Sequence, residues 1–534
     1  MKRTVTLTVT VIGAVLIVVL LAFVNAPGST DDTLANNDEE SGLLVYAPMA
    51  YTCDGGFLVD NEDENAEEAT WLTEGERVFG LSFVWKSVAE MSPFISAAPD
   101  GFDWDALFLE YIPKVIDATD MLEYYEILSR FLAHLADGKS NIQSPADLYV
   151  FPIEIMYVEN NFIVFAASPY HSNIPLGSTV LYVNGMTARD FLETNFGFRD
   201  GRHTPLAREY ILASNFTFTR NPIMRAGIVL EALTPQGETV QETIYFEPFS
   251  DEIIWAMAEM QENSLSVNQF WGIEPIPLET GATAFVHDGD IHHITISTFA
   301  NPALPEAVRQ YIEDVADTAQ AFILDIRGNG GGTSDWVILS QFADIREIPL
   351  GYSYRQMRDG ALMGVANMAV MAEAMGIQLP DDIWNLAMHG RSLQQGIEML
   401  ESRYLEALYE FEGIELFDRD IVYEQSLRLF DTPVVVLANY MSGSAAESFV
   451  VAARAIDTFT VIGTNTTGMA GDITTLPLPG GGLLSLNVVK QMTPERQIIN
   501  NHGVSPDIWV EQSLADLLEG IDTQLVAAIE YLGY

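Results

Sequence analysis

The stretch Ala321–Ile326 (AFILDI) reads as a strand that is apolar on both faces except at Asp325. A continuous apolar run of this length reads as a buried strand. Two other segments read as strands. His292–Phe299 reads as one strand, and Pro433–Leu437 as another that leads through a loop into a helix from Ala445 to about Ile456. Strands alternating with helices beyond about Ser250 imply an α/β core. A long helical insertion at about 361–412 separates two of its units.

Upstream the pattern is different. Phe102–Val115 and Met121–Leu135 carry apolar residues at helical spacing, and Gly138 stands where a glycine ends a helix. From Tyr149 to about Pro248 short alternating strands take over, with Asn184-Gly185 as a hairpin turn. Within them, IPLGSTVLYVNGMTARDFL resembles the strand, turn and helix of a PDZ domain, a module that binds chain ends by strand addition. A plain β-rich insert accounts for the same residues. At the N-terminus, Lys2 and Arg3 precede an uncharged run from Thr4 to Val24, longer than a usual signal core and close to a membrane span. A retained anchor is favoured over a signal peptide cleaved near Ala26, and either exports the remainder. The expected organisation is a leader (1–28), an acidic linker (29–41), a mainly helical region (42–148), a PDZ-like β module (149–248) and a catalytic core (249–534).

Charge narrows the function. The chain of 534 residues has 25 Lys and Arg against 75 Asp and Glu, a net charge of −50. Such a surface repels nucleic acid, whose binding needs phosphate-neutralising cations. It keeps a secreted or salt-adapted protein soluble, or forms an acidic groove that recruits basic substrates. Cys53 is the one cysteine, so no intramolecular disulfide forms, and it lies too far past the leader for lipid attachment.

Two loops could carry chemistry. The first follows the Ala321–Ile326 strand as Arg327-Gly328-Asn329-Gly330-Gly331-Gly332. Its glycines leave backbone N–H groups open to an oxyanion, or simply make a turn, and it lacks the Gly-Lys-Ser/Thr ending of a nucleotide loop. The second is Met441-Ser442-Gly443-Ser444-Ala445-Ala446-Glu447, where Ser444 stands at a helix start. Ser-Ala-Ala-Glu also fits a capping box. The two readings are compatible, because a helix N-terminus favours an alkoxide and a developing oxyanion.

Taken together, these loops resemble the C-terminal-processing (tail-specific, tricorn-type) serine peptidases, in which a strand ending Asp-x-Arg-Gly-Asn-x-Gly-Gly precedes a Ser-Ala-x-Glu loop. Met492-Thr493-Pro494, Asn501-His502-Gly503-Val504-Ser505-Pro506-Asp507-Ile508 and the closing helix continue the match, as does Leu135–Ser140 upstream. The resemblance implies a crotonase/ClpP-like α/β catalytic core and no cofactor. It makes Ser444 the nucleophile and gives the oxyanion hole to N–H groups of Gly330, Gly331 and Ala445. Asp325, Arg327 and Glu447 would brace the site. The implied substrate is a polypeptide, including C-terminal segments.

The match breaks at the base. One branch of the family uses a lysine where Met469 stands; the tricorn branch uses a histidine at the position of Lys139 and a glutamate at that of Asn500. Lys139 is the preferred replacement as general base. A free lysine titrates near 10.4 and a useful base near 7–8, so burial must supply about 4 kcal/mol. A salt-bridging or substrate-binding Lys139 is the other reading, and His502 and Lys490 are fallback bases. His134 reads as a helix-face residue. His287, His292 and His293 suggest a metal, but adjacent strand residues point to opposite faces, so no metal is expected. The altered base positions leave a catalytically inactive binding protein, or a serine esterase, as rivals.

Overall fold

The computed structural model describes residues 71–534, apart from 96–101, 136, 146–147, 198–203, 220–225, 249, 266–272, 333–335, 344–351, 356–413 and 418–429. The expected leader, acidic linker, Cys53 and helical insertion therefore lie outside the described residues. No described helix is long and apolar enough to cross a membrane.

The central sheet has seven strands in chain order: Ile276–Glu279, Ala282–His287, Ile291–Ile296, Ala321–Asp325, Val434–Ala438, Phe459–Gly463 and Ile508–Trp509. The first two pairings are antiparallel and the remaining four parallel. Side chains alternate between two cores. Phe322, Leu324, Val434 and Val436 pack with Leu304, Val308, Ile312 and Phe449 from helices Leu304–Val315 and Ala445–Ala453. Ile323, Val435 and Leu437 pack with Leu525 and Ala528 of helix Thr523–Tyr531 on the other face. Two covered faces explain why these strands are apolar throughout, at about 1.5–3 kcal/mol per fully buried aliphatic side chain.

The adjacent histidines obey the alternation. His292 Nδ1 meets the Tyr311 hydroxyl at 2.8 Å, whereas His293 Nε2 lies 3.3 Å from Asp325 Oδ2. No group of metal-ligating side chains is found among the described residues.

Six antiparallel strands form the main sheet of the β module: Ile153–Val158, Asn161–Ala167, Thr179–Val183, Ile228–Leu233 and Thr239–Ile244 in that order, with Met186–Thr187 paired to Thr179–Val183. Asn184 and Gly185 have φ of 50° and 79°, the left-handed pair that a tight hairpin needs. The early helices are Glu74–Met91, Trp104–Asp117 and Met121–Ala133. They do not enclose a core of their own. Leu81, Val84, Tyr125 and Leu128 pack against Leu484, Leu486 and Val488 from the far end of the chain. Strand Asn141–Gln143 pairs with Leu483–Asn487 in the same region, which carries the loop before it, 137–140, toward the central sheet.

Candidate active site

Ser444 is the residue at which strand Val434–Ala438 has turned into helix Ala445–Ala453. Its φ of 53° is a left-handed conformation that a serine adopts only under constraint. The turn is held from within: Ser442 Oγ donates to the Ile326 carbonyl (2.9 Å) and Gly443 N to the Asn329 carbonyl (2.9 Å). The capping box expected from Ser-Ala-Ala-Glu is present: Glu447 Oε2 accepts from Ser444 N at 3.3 Å, and Glu447 N faces Ser444, donating to its carbonyl at 2.9 Å.

Glu447 is fully buried, and its Oε1 accepts from Thr466 Oγ1 and Gly468 N, both at 2.7 Å. Burial pushes its carboxyl up to about 7, with those donors and the nearby Lys139 opposing.

The Ser444 hydroxyl meets Lys139, whose Nζ lies 3.1 Å from Ser444 Oγ and also donates to the Gly471 carbonyl. Lys139 is buried, and its loop is pinned by Asp137. The Asp137 carboxylate accepts from Ser140 N (3.1 Å), Lys139 N (3.3 Å) and Asn487 Nδ2 (3.3 Å). Burial raises the Asp137 pKa against these donors. Gly138 N, expected to end a helix, donates instead to Asn501 Oδ1 (3.0 Å); the helix before it stops at Ala133.

Gly330, Gly331 and Ala445 come together as the sequence implied, but not as three equal donors. Among the described residues the N–H groups of Gly330 and Ala445 donate to no protein acceptor. That of Gly331 donates to Asn329 Oδ1 at 2.8 Å, so in this state it is committed. Gly331 contributes by what it lacks: a Cβ there would stand 2.7 Å from Ser444 Cβ.

Below the loop, Arg327 donates through Nε and Nη2 to Asp325 (2.9 and 2.6 Å) and through Nη1 and Nη2 to Asp522 (2.8 and 2.7 Å). All three are buried. Burial alone would raise the Asp325 pKa, but the guanidinium outweighs it and holds the carboxyl well below the usual range. The two carboxylates keep Arg327 charged. The strand's single polar residue is therefore the anchor of the glycine loop.

The other candidates lie elsewhere. His502 Nδ1 is 2.8 Å from the Asn500 carbonyl, and His134 Nε2 is 3.1 Å from the Tyr111 hydroxyl. Lys490 sits on a strand paired with Tyr352–Arg355. Met469 is buried, as is Asn500, whose amide donates to the Ala470 carbonyl (2.7 Å) and accepts from Gln491 N (2.7 Å). Thr466 and Asn487 were not singled out from the sequence, because each acts through contacts distant along the chain. Asn329 lay within the quoted glycine-loop motif, but neither it nor Asp522 was given a role.

Residues 290–510 match the model of Peptidase family S41. A carboxy-terminal-processing protease of Bartonella bacilliformis is 36% identical over 95 residues, which are 18% of this chain and 22% of that protein. A carboxyl-terminal-processing protease of Synechocystis sp. is 32% identical over 105 residues, 19% of this chain and 25% of that one. These alignments span about a quarter or less of the relatives' lengths. The crystal structure of mature CPAF superposes with a TM-score of 0.63 at 18% identity, covering 86% of this chain and 96% of that one, a likeness of fold. The matched segment holds both the glycine loop and the Ser444 turn, so over residues 290–510 the chain is similar to peptidase family S41.

Proposed function

We propose that this protein is a serine peptidase that cleaves exported polypeptides through an acyl-enzyme on Ser444, with Lys139 as general base. The observation that carries the reading is the 3.1 Å contact between Lys139 Nζ and Ser444 Oγ, near the Gly330 and Ala445 N–H groups, which donate to no protein acceptor among the described residues. Neutral Lys139 takes the Ser444 proton as Oγ attacks a peptide carbonyl. The developing oxyanion is held by the Gly330 and Ala445 N–H groups, the latter in the first turn of a helix. The Lys139 ammonium then gives its proton to the leaving amine. Water, deprotonated by the same amine, hydrolyses the ester. Asn500 holds backbone groups rather than an imidazole, which supports a serine–lysine pair over a three-residue relay. The β module, in this reading, is PDZ-like and presents chain ends; the N-terminal segment anchors or exports the protein.

Peptide hydrolysis and fluorophosphonate labelling of wild type, Ser444→Ala, Lys139→Ala and Lys139→His test the reading. Ser444→Ala abolishes both, and Lys139→Ala lowers kcat by about 10²–10⁴. Turnover surviving Ser444→Ala overturns the mechanism, and turnover surviving Lys139→Ala removes the base assignment. A wild type that neither labels nor cleaves is a binding protein on a peptidase fold; one that cleaves only esters is an esterase.

A further inference from the structure

A lysine ends a flexible four-carbon stem, so one contact with a serine does not fix where its amine points. The inference here deepens the proposed mechanism and rests on it. Besides reaching Ser444 Oγ, Lys139 Nζ donates to the Gly471 carbonyl. Gly471 is thus the backbone residue against which the amine is aimed, and whatever holds Gly471 also holds the base.

Three amide side chains close round that residue. Gln491 Oε1 accepts from Gly471 N at 2.9 Å. Asn500 Nδ2 and Asn487 Nδ2 both donate to the Ala470 carbonyl, at 2.7 and 3.1 Å. The single peptide unit that joins Ala470 to Gly471 is therefore gripped at its C=O and at its N–H. The fit is close: Gly471 has a φ of 98°, and an added Cβ would run into the Val489 carbonyl oxygen and stand 2.6 Å from Asn487 Oδ1. Amides suit this cradle because each donates and accepts at once, which a carboxylate cannot do. Asn500 does both, since its Oδ1 also accepts from Gln491 N at 2.7 Å.

Gln491 links the cradle to the nucleophile. Its backbone is fixed by Asn500 and by Ile499 N, which donates to its carbonyl at 2.9 Å. With Oε1 turned to the Gly471 N–H, its Nε2 donates to Ser448 Oγ at 3.4 Å. Ser448 lies about one turn beyond Ser444 on helix Ala445–Ala453. One side chain thus spans from the residue that receives the base to the helix that follows the serine. We propose that Gln491 is a positioning residue of the catalytic pair, holding Gly471 so that its carbonyl orients Lys139 toward Ser444.

The test follows fluorophosphonate labelling of Ser444 in the full chain, which needs an activated serine and no peptide. Gln491→Leu removes the acceptor of the Gly471 N–H. Displacement of a reacting group by about 1 Å costs about 10²-fold, so the labelling rate and kcat fall by about 10- to 10²-fold while KM stays within about threefold. In a chain already carrying Lys139→Ala, the same substitution changes the labelling rate by less than about threefold, because the group it positions is gone. Equal losses in the two backgrounds overturn the proposal, as does a Gln491→Leu chain that labels at the wild-type rate. Gln491→Glu decides the matter if Gln491→Leu fails to fold, since its carboxylate still accepts from Gly471 N and the Ser448 hydroxyl can turn to donate. It adds a negative charge to those of Asp137 and Glu447, which already bear on Lys139, and so favours the ammonium. The alkaline rise of the labelling rate then moves up by about one pH unit, with the plateau rate largely kept. A rise that stays in place overturns the proposal. A wild type that labels but cleaves no peptide ends the peptidase reading and leaves this test in force; one that does not label ends both.

Discussion

Gly331 is where the glycine loop and the nucleophile turn approach most closely, so alanine there measures how far that approach positions Ser444. Its φ of 103° is strained for any L side chain. The added Cβ would stand 2.7 Å from Ser444 Cβ, 2.8 Å from Ala445 N and 2.9 Å from Gly443 O. Carbon atoms rest at about 3.5–4.0 Å, so the loops must part by about 0.8 Å or more. Two of the three obstructing atoms are backbone and cannot rotate aside. Backbone strain and overpacking each cost about 1–3 kcal/mol. A shift of about 1 Å in a reacting group costs about 10²-fold in rate. The rate constant for fluorophosphonate labelling of Ser444, followed by mass spectrometry, should fall by about that factor. Gly185→Ala is the control: its φ is 79°, but nothing lies within 4 Å of the added methyl. That variant should lose stability in urea and keep its labelling rate. If Gly331→Ala labels within about threefold of wild type, the close approach does not set the nucleophile and the oxyanion reasoning fails with it.

Three further perturbations bear on the supports. Glu447 holds its proton to about 7 against 4.5 for the ordinary group, so the folded chain binds protons more tightly than the unfolded one. Stability from this residue is fully present below about 4.5 and is lost as pH rises through about 7, by at most about 3 kcal/mol. Urea midpoints compared at about pH 5 and 8 should fall, and Glu447→Gln should flatten the difference. Arg327→Met leaves Asp325 and Asp522 buried without their cation and should cost about 3–5 kcal/mol, read by urea unfolding; a loss under about 1 kcal/mol would contradict the pairing. Asn500→Asp sets an acceptor against the Ala470 and Val489 carbonyls, now 2.7 and 3.3 Å from the amide nitrogen. It should destabilise by about 1–3 kcal/mol at neutral pH, less in acid where the new group is protonated, and equal urea midpoints would refute the amide assignment.

What could be read from the sequence was local. Val434–Glu447 declares a strand, a turn and a helix because apolar alternation, glycine and an acidic third position each act over a few residues. The same pattern predicted a capping box. It could not reveal that Ser444 takes a φ of 53° there, or that its hydroxyl also meets Lys139. Glycine content left the loop at 328–332 as either an oxyanion cradle or a plain turn and could not say which amide is committed; Asn329, one residue before Gly330, decides that. Partners far along the chain were hidden. Lys139 meets Ser444 across 305 positions, Arg327 meets Asp522 across 195, and Asn487 reaches Asp137 across 350. Helical periodicity marked the apolar faces of Trp104–Asp117 and Met121–Ala133, yet periodicity names no partner, and their core is completed by Leu484–Val488.

Burial of the acids bears directly on whether Lys139 can lose a proton. A lysine between two carboxylates is ordinarily held as an ammonium, and Asp137 and Glu447 both bear on this one. Were both ionised, the pair would be locked in the form that cannot accept the Ser444 proton. Burial changes that balance at its source. It raises Asp137, and it brings Glu447 to about 7, so near neutral pH the Glu447 charge is only partly present. The three groups therefore share their protons as one unit, and the macroscopic pKa of activity belongs to the cluster. Glu447→Gln, by removing one charge that retains the lysine's proton, should shift the alkaline rise of kcat to lower pH. A rise that stays in place would mean that Glu447 holds the turn but has no part in setting the base.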